Sequence, residues 1–255
     1  MPVPIVAGNW KMHTSVTEGL RLALELVEGL DGVSGVEKVI CPPFVSLEAV
    51  AGVLRGTSVK LGAQNMHHEV QGAYTGEVAP GMLAGLCEYV LLGHSERRSH
   101  FAETDEAVNL KVKAAFRAGL CPIVCVGETL EQRESGKAAE VVAGQVRGAL
   151  RGLHNIMDLV IAYEPVWAIG TGVAATPETA SEVMGGVILP TLQEMYTRDP
   201  AAQVRLLYGG SVSPGNVESF ARLESVHGAL VGGASLRPDQ FVEIARIVVG
   251  AKSGG

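Results

Sequence analysis

Apolar residues along the chain follow two alternating rhythms. The first is a series of short, nearly continuous apolar runs: PIVAGN (4–9), KVICP (38–42), VKLGAQ (59–64) and YVLLGH (89–94). Four more follow as PIVCVGE (122–128), LVIAYE (159–164), VRLLYGG (204–210) and GALVGG (228–233). A strand with one wet face alternates apolar and polar side chains, whereas a parallel strand covered on both faces does not. The runs therefore predict eight parallel strands.

Helical spacing fills the intervals. Leu20, Ala23, Leu24 and Val27 keep the i, i+3, i+4, i+7 rhythm, with Arg21, Glu25 and Glu28 turned away. Further helices are predicted over 46–54, 103–118, 137–150 and 239–249. The segment 177–197 starts with Thr176 as N-cap and Pro177 in the first turn, then meets Gly185, Gly186 and Pro190, where a kink is expected. Strand–helix alternation eight times in one chain predicts an α/β fold of (β/α)8 barrel type, a single catalytic domain over 1–255 with a frayed AKSGG tail.

Composition narrows the partners. A net charge of −7 argues against nucleic acid or an anionic membrane as the main partner, but leaves a small anionic substrate open. Cys41, Cys121 and Cys125 lie in strand-like runs and read as reduced core thiols, and the four cysteines show no framework or zinc spacing. The N-terminus MPVPIVAGNWKM has no basic leader, and no apolar run nears the ~18 residues of a membrane helix, so a cytoplasmic location is expected.

Barrel chemistry collects at the carboxyl ends of the strands. The first strand ends at Asn9 and Lys11, the fourth at His94 with Ser95 and Glu96, and the sixth at Glu164. The seventh and eighth end in glycine pairs, Gly209–Gly210 before Ser211 and Gly232–Gly233. Singly, each has a plain structural explanation: a solvated lysine, a satisfied histidine, a paired carboxylate, a turn. Together they supply a base, an electrophile and, through free N–H groups, an anion cradle. The stretch YEPVWAIGTG (163–172) adds an apolar loop where connections are usually polar, with Trp167 and Ile169 expected to cover the site. Under such a lid a carboxylate gains basicity, and a base beside a carbonyl generates an enediolate whose charge His94 and Lys11 would offset. GTGVAA (170–175) fits the dinucleotide fingerprint only formally, because it does not directly follow its strand and no acid ends the next one. His67, His68 and Glu69 are adjacent rather than helically spaced, which favours a solvated turn over a metal site. A Schiff-base aldolase using Lys11 is the nearest rival chemistry, and a phosphosugar-binding barrel without activity is the rival from another class.

Seven motifs, in order along nearly the whole chain, carry a family resemblance: GNWKM at Gly8, GAQN at Gly62, GAYTGE at Gly72, GHSERR at Gly93, AYEPVWAIGTG at Ala162, YGGSV at Tyr208 and LVGGASL at Leu230. With them the chain resembles the triosephosphate isomerases. The resemblance implies interconversion of dihydroxyacetone phosphate and D-glyceraldehyde 3-phosphate, with no cofactor or metal. It assigns proton shuttling to Glu164, carbonyl polarisation by a neutral imidazole to His94, and charge compensation to Lys11 beside Asn9, with Glu96 behind them. Phosphate would be held by N–H groups of Gly170, Ser211, Gly232 and Gly233. It further implies a homodimer in which the GAYTGE loop, tipped by Thr75, enters the other subunit. One departure is Val173, where the family commonly has lysine.

Overall fold

The computed structural model describes residues 2–169 and 175–253. The strands are β1 (Ile5–Asn9), β2 (Glu37–Cys41), β3 (Val59–Ala63), β4 (Tyr89–Leu92), β5 (Cys121–Val126), β6 (Val160–Tyr163), β7 (Arg205–Tyr208) and β8 (Gly228–Val231). They close into a barrel in sequence order, every neighbouring pair parallel, with β1 returning to β8. Strand periodicity explains the continuous apolar runs. Ile5, Ala7, Val39, Leu91, Ile123 and Ala162 join a cluster inside the barrel, while their neighbours Val6, Ile40, Val90, Val124 and Ile161 join a larger cluster beneath the helices. Successive side chains point to opposite faces and both faces are dry, so no polar position interrupts the run.

The helices follow the predicted segments with two differences. The first helix, Val16–Leu30, begins at a capping box between Ser15 and Glu18. It buries Gly19, Leu22, Ala23, Leu26 and Leu30, whereas Leu24 is 59% exposed. The buried stripe thus sits one residue, ~100° of helix rotation, from the stripe read out of the sequence. Both stripes are apolar enough, and packing decides: Gly19 lets the helix approach Ser46 so closely that a Cβ there would meet Oγ at 3.3 Å. The second difference is that, where the sequence predicts a kink, the helix widens into a π turn. The helix Pro177–Val183, capped by Thr176, passes into a π turn at Met184–Ile188 and resumes as Leu189–Tyr196. The widened turn accommodates Pro190, which has no N–H to donate. Short helices such as Ser95–His100 and Leu130–Glu134 span too few residues to show periodicity in the sequence.

The segment 64–77 forms no helix or strand. Cys41, Cys87 and Cys125 are buried free thiols and Cys121 is half-buried. Among the described residues, no helix is long and apolar enough to cross a membrane.

Candidate active site

A cavity of about 260 Å³ opens at the carboxyl ends of the strands, lined by Asn9, Lys11, His94, Glu164, Ser211, Gly232 and Gly233 together with Ile169, Gly209 and Gly210. A larger cavity of about 840 Å³ lies at the amino ends of β7 and β8, beside Val204 and His227. The buried His94–Glu164 pair lies at the other end, where barrel active sites form. The smaller cavity is the candidate site.

His94 caps the helix Ser95–His100, and its Nδ1 accepts the Glu96 N–H at 3.3 Å. That bond leaves Nε2 to face Glu164 Oε1, 2.9 Å away. Glu164 Oε2 accepts the Ser95 N–H at 3.0 Å, and the whole carboxylate is buried. Burial pushes the Glu164 carboxyl up, but His94, the Ser95 amide and Lys11 outweigh it and hold it below the usual carboxylate range. Burial likewise disfavours a charged His94, yet Glu164 and Glu96 hold its pKa above the usual value while the pair stays together. Removing Glu164 from the ring takes away the main cause of that rise. Burial and the amide bond to Nδ1 then favour neutral imidazole with its proton on Nε2.

Lys11 stands at the mouth of β1 in a left-handed conformation, φ +53°, that costs a non-glycine residue of order 1 kcal/mol. Two side chains fix it: Asn9 Oδ1 accepts the Lys11 N–H at 3.0 Å, and Gln64 Nε2 donates to the Lys11 carbonyl at 2.8 Å. Its Nζ pairs with Glu96 at 2.5 Å. Asn9, Lys11, His94, Glu164, Ser211, Gly232 and Gly233 thus meet in one cavity, with Glu96 behind Lys11 and outside the lining. Thr75 is exposed and not among the lining residues. Gly170 and Val173 lie outside the described residues.

The apolar loop needs one correction. Ile169 lines the cavity, but Trp167 does not. Its indole Nε1 donates to Glu128 at 2.9 Å, with the Arg133 guanidinium 5.3 Å from the ring centroid. Glu128 is wholly buried and also receives the Tyr163 hydroxyl and Arg133. A carboxylate so deep must be fully satisfied, and the indole is one of its donors. Trp167 therefore anchors the root of the loop and is not among the residues lining the cavity. Among the described residues, no group of three or more His, Cys, Asp or Glu side chains is placed to hold a metal ion. His67 and His68 stack at 4.4 Å in a half-exposed turn.

The family model described as triosephosphate isomerase matches residues 4–248. The chain belongs to the triosephosphate isomerase family. A triosephosphate isomerase of Dictyoglomus thermophilum is 50% identical over 245 residues, 95% of this chain and 98% of that protein. The one from Caldanaerobacter subterraneus subsp. tengcongensis is 52% identical over 94% of this chain and 98% of its own. The crystal structure of triosephosphate isomerase from Bartonella henselae superposes with a TM-score of 0.88 at 38% identity, covering 96% of this chain and 98% of that one. As a member of the triosephosphate isomerase family, the chain is an isomerase. Two residues that brace this site, Gln64 and Glu128, lie at strand ends where the sequence marks a position but not its partner. Gln64, within the GAQN motif, steadies Lys11, and Glu128, at the end of the fifth apolar run, organises the loop root. Both act on backbone or loop positions that become neighbours only when the barrel closes.

Proposed function

We propose that this chain, working as one barrel domain, interconverts dihydroxyacetone phosphate and D-glyceraldehyde 3-phosphate by carboxylate-mediated proton transfer. The observation that carries the reading is the buried Glu164–His94 pair facing a cavity that Lys11 and the β7–β8 glycine turns also line. The phosphate takes N–H bonds from Ser211, Gly232 and Gly233, with Gly170 joining from the loop. Glu164 leaves His94 and removes a proton from the carbon next to the carbonyl. The C–H electron pair moves into the new C=C bond, and the carbonyl oxygen becomes an enediolate oxygen. His94 Nε2–H and the Lys11 ammonium face that oxygen. His94 passes a proton between the two oxygens, and Glu164 returns its proton to the neighbouring carbon, so atoms and charge balance. A Schiff base needs Lys11 Nζ free to attack the carbonyl, whereas Nζ is held by Glu96.

The partner reading is a homodimer in the cytoplasm, with Thr75 at the tip of the interlocking loop. Support comes from the irregular 64–77 segment and from Tyr74 and Val70, which stand 47% and 74% exposed on it. Deleting the tip around Thr75 should give a monomer of low activity in sedimentation and assay, and an unchanged dimer overturns the interface. The central test is a coupled assay with the purified chain. Conversion of either triose phosphate in both directions is expected, and its absence in folded protein defeats the reading.

A further inference from the structure

The carboxylate at the centre of the site sits on a backbone that rests against Gly127. A Cβ built on Gly127 would lie 1.7 Å from the Glu164 carbonyl oxygen and 2.6 Å from its carbonyl carbon. Only a glycine Cα fits there, and any movement of Gly127 is passed directly to Glu164. What holds Gly127 is therefore part of what places the base.

In a parallel ladder, successive residues turn their N–H and C=O groups alternately to the two neighbouring strands. On the β6 side, Val126 accepts the Glu164 N–H at 2.7 Å and Glu128 accepts the Val166 N–H at 3.1 Å. Cys125 and Gly127 face the β4 side, where β4 has ended at Leu92, paired with Val124, and turned away into the helix Ser95–His100. Two polar groups on Gly127 are thus left without a strand, and a buried backbone cannot leave them unpaired cheaply. Gln145 takes the missing strand's place. Its Oε1 accepts the Gly127 N–H at 2.7 Å, and its Nε2 donates to the Gly127 carbonyl at 3.1 Å. The side chain comes from the helix Ala138–Leu150, which is seated on the barrel by buried Val142, Val146 and Ala149. It is fixed at its base as well as at its tip.

We propose that Gln145 is a positioning residue for Glu164: its carboxamide imitates one rung of a β4 strand, locks Gly127, and through that contact fixes the backbone that aims the carboxylate. The proposal rests on the reading of Glu164 as the proton shuttle. It assigns to Gln145 no contact with substrate. Both Gln145 hydrogen bonds go to Gly127 and none to Ser211, Gly232 or Gly233, so phosphate binding is independent of Gln145 in this scheme.

The test compares wild type with Gln145→Leu and Gln145→Glu. Leucine removes both bonds, while glutamate is isosteric and keeps only the acceptor for the Gly127 N–H. For Gln145→Leu, kcat should fall about 10- to 100-fold, the order expected of a sub-ångström to ångström misplacement of a reacting group. Gln145→Glu should fall between leucine and wild type. KM and inhibition by inorganic phosphate should stay within about twofold, because ground-state binding is untouched. The deuterium isotope effect on kcat, with substrate labelled at the carbon that loses its proton, should rise as proton transfer becomes limiting. If leucine prevents folding, the isosteric glutamate variant carries the same readouts. A folded variant with kcat within about twofold of wild type and an unchanged isotope effect overturns the proposal. So does a kcat loss matched by equal loss of phosphate affinity, which would mean general loosening. Failure of wild type to isomerise defeats the parent reading instead, so the two failures are distinguishable.

Discussion

The two halves of the site are built from different material. Around β4 to β6, the residues to which the proposed mechanism gives the chemistry are side chains, His94 and Glu164, whose placement depends on Ser95, Glu96 and the contact with Gly127. Around β7 and β8, the lining is mainly backbone: Gly209, Gly210, Ser211, Gly232 and Gly233. The difference follows from the tasks. A phosphate has several oxygens and accepts N–H bonds over a range of geometries, so a turn suffices to bind it. Proton transfer needs one oxygen aimed at one carbon, and only a side chain braced from several directions holds that aim.

The contrast breaks most sharply at Glu164. Glu164→Gln should lower kcat by ~10²–10⁴, the range for loss of a general base, while a phosphate-bearing transition-state mimic loses far less affinity. Near-normal kcat in this variant would place the chemistry elsewhere. The backbone half is tested at Gly210, where an added Cβ would fall 2.3 Å from the Tyr208 hydroxyl. Tyr208 cannot easily yield, because its ring stacks on Phe220 at 3.9 Å and its hydroxyl accepts the Ala175 N–H at 3.2 Å. Gly210→Ala should therefore raise KM and weaken inhibition by inorganic phosphate by about tenfold, with a smaller fall in kcat. Unchanged KM would show that the turn is not part of the cradle.

A gentler test uses pH. His94 is raised above its ordinary value of 6.5, so its share of stability is complete below that value and disappears as pH rises through the folded-state pKa. Glu164 is lowered from 4.5, so its share is complete above that value and disappears as pH falls through the folded-state pKa. The pair should stabilise most between pH 4.5 and 6.5, where a charged His94 exchanges the Glu96 N–H at Nδ1 for the Glu96 carboxylate 3.6 Å away. The Tm difference between wild type and Glu164→Gln should peak in that window and shrink on both sides; a flat difference would mean that the pair is not charged in the free enzyme. The smallest effect is expected at Val173. Val173→Lys restores the residue common in the family, and kcat/KM should change by less than about tenfold, ~1.4 kcal/mol, mainly through product release. A larger change in steady-state kinetics would make residue 173 a determinant of the site.

The sequence by itself determined the order of eight strands, because residues buried on both faces must be apolar at every position. It also determined which strand ends carry Lys11, His94, Glu164 and the glycine pairs, since chain order and barrel closure put those ends on one rim. It did not determine the rotation of the helix Val16–Leu30, where two apolar stripes competed and the fit of Gly19 against Ser46 chose between them. Nor did it show that Trp167 turns toward Glu128, or that Gln145 closes the open edge at Gly127. These contacts join residues 39 and 18 positions apart, and polar side chains such as Glu and Gln read as ordinary surface until a backbone with unpaired groups arrives beside them. Periodicity reports which face of an element is dry. Which polar group satisfies which buried partner is set only when the barrel closes.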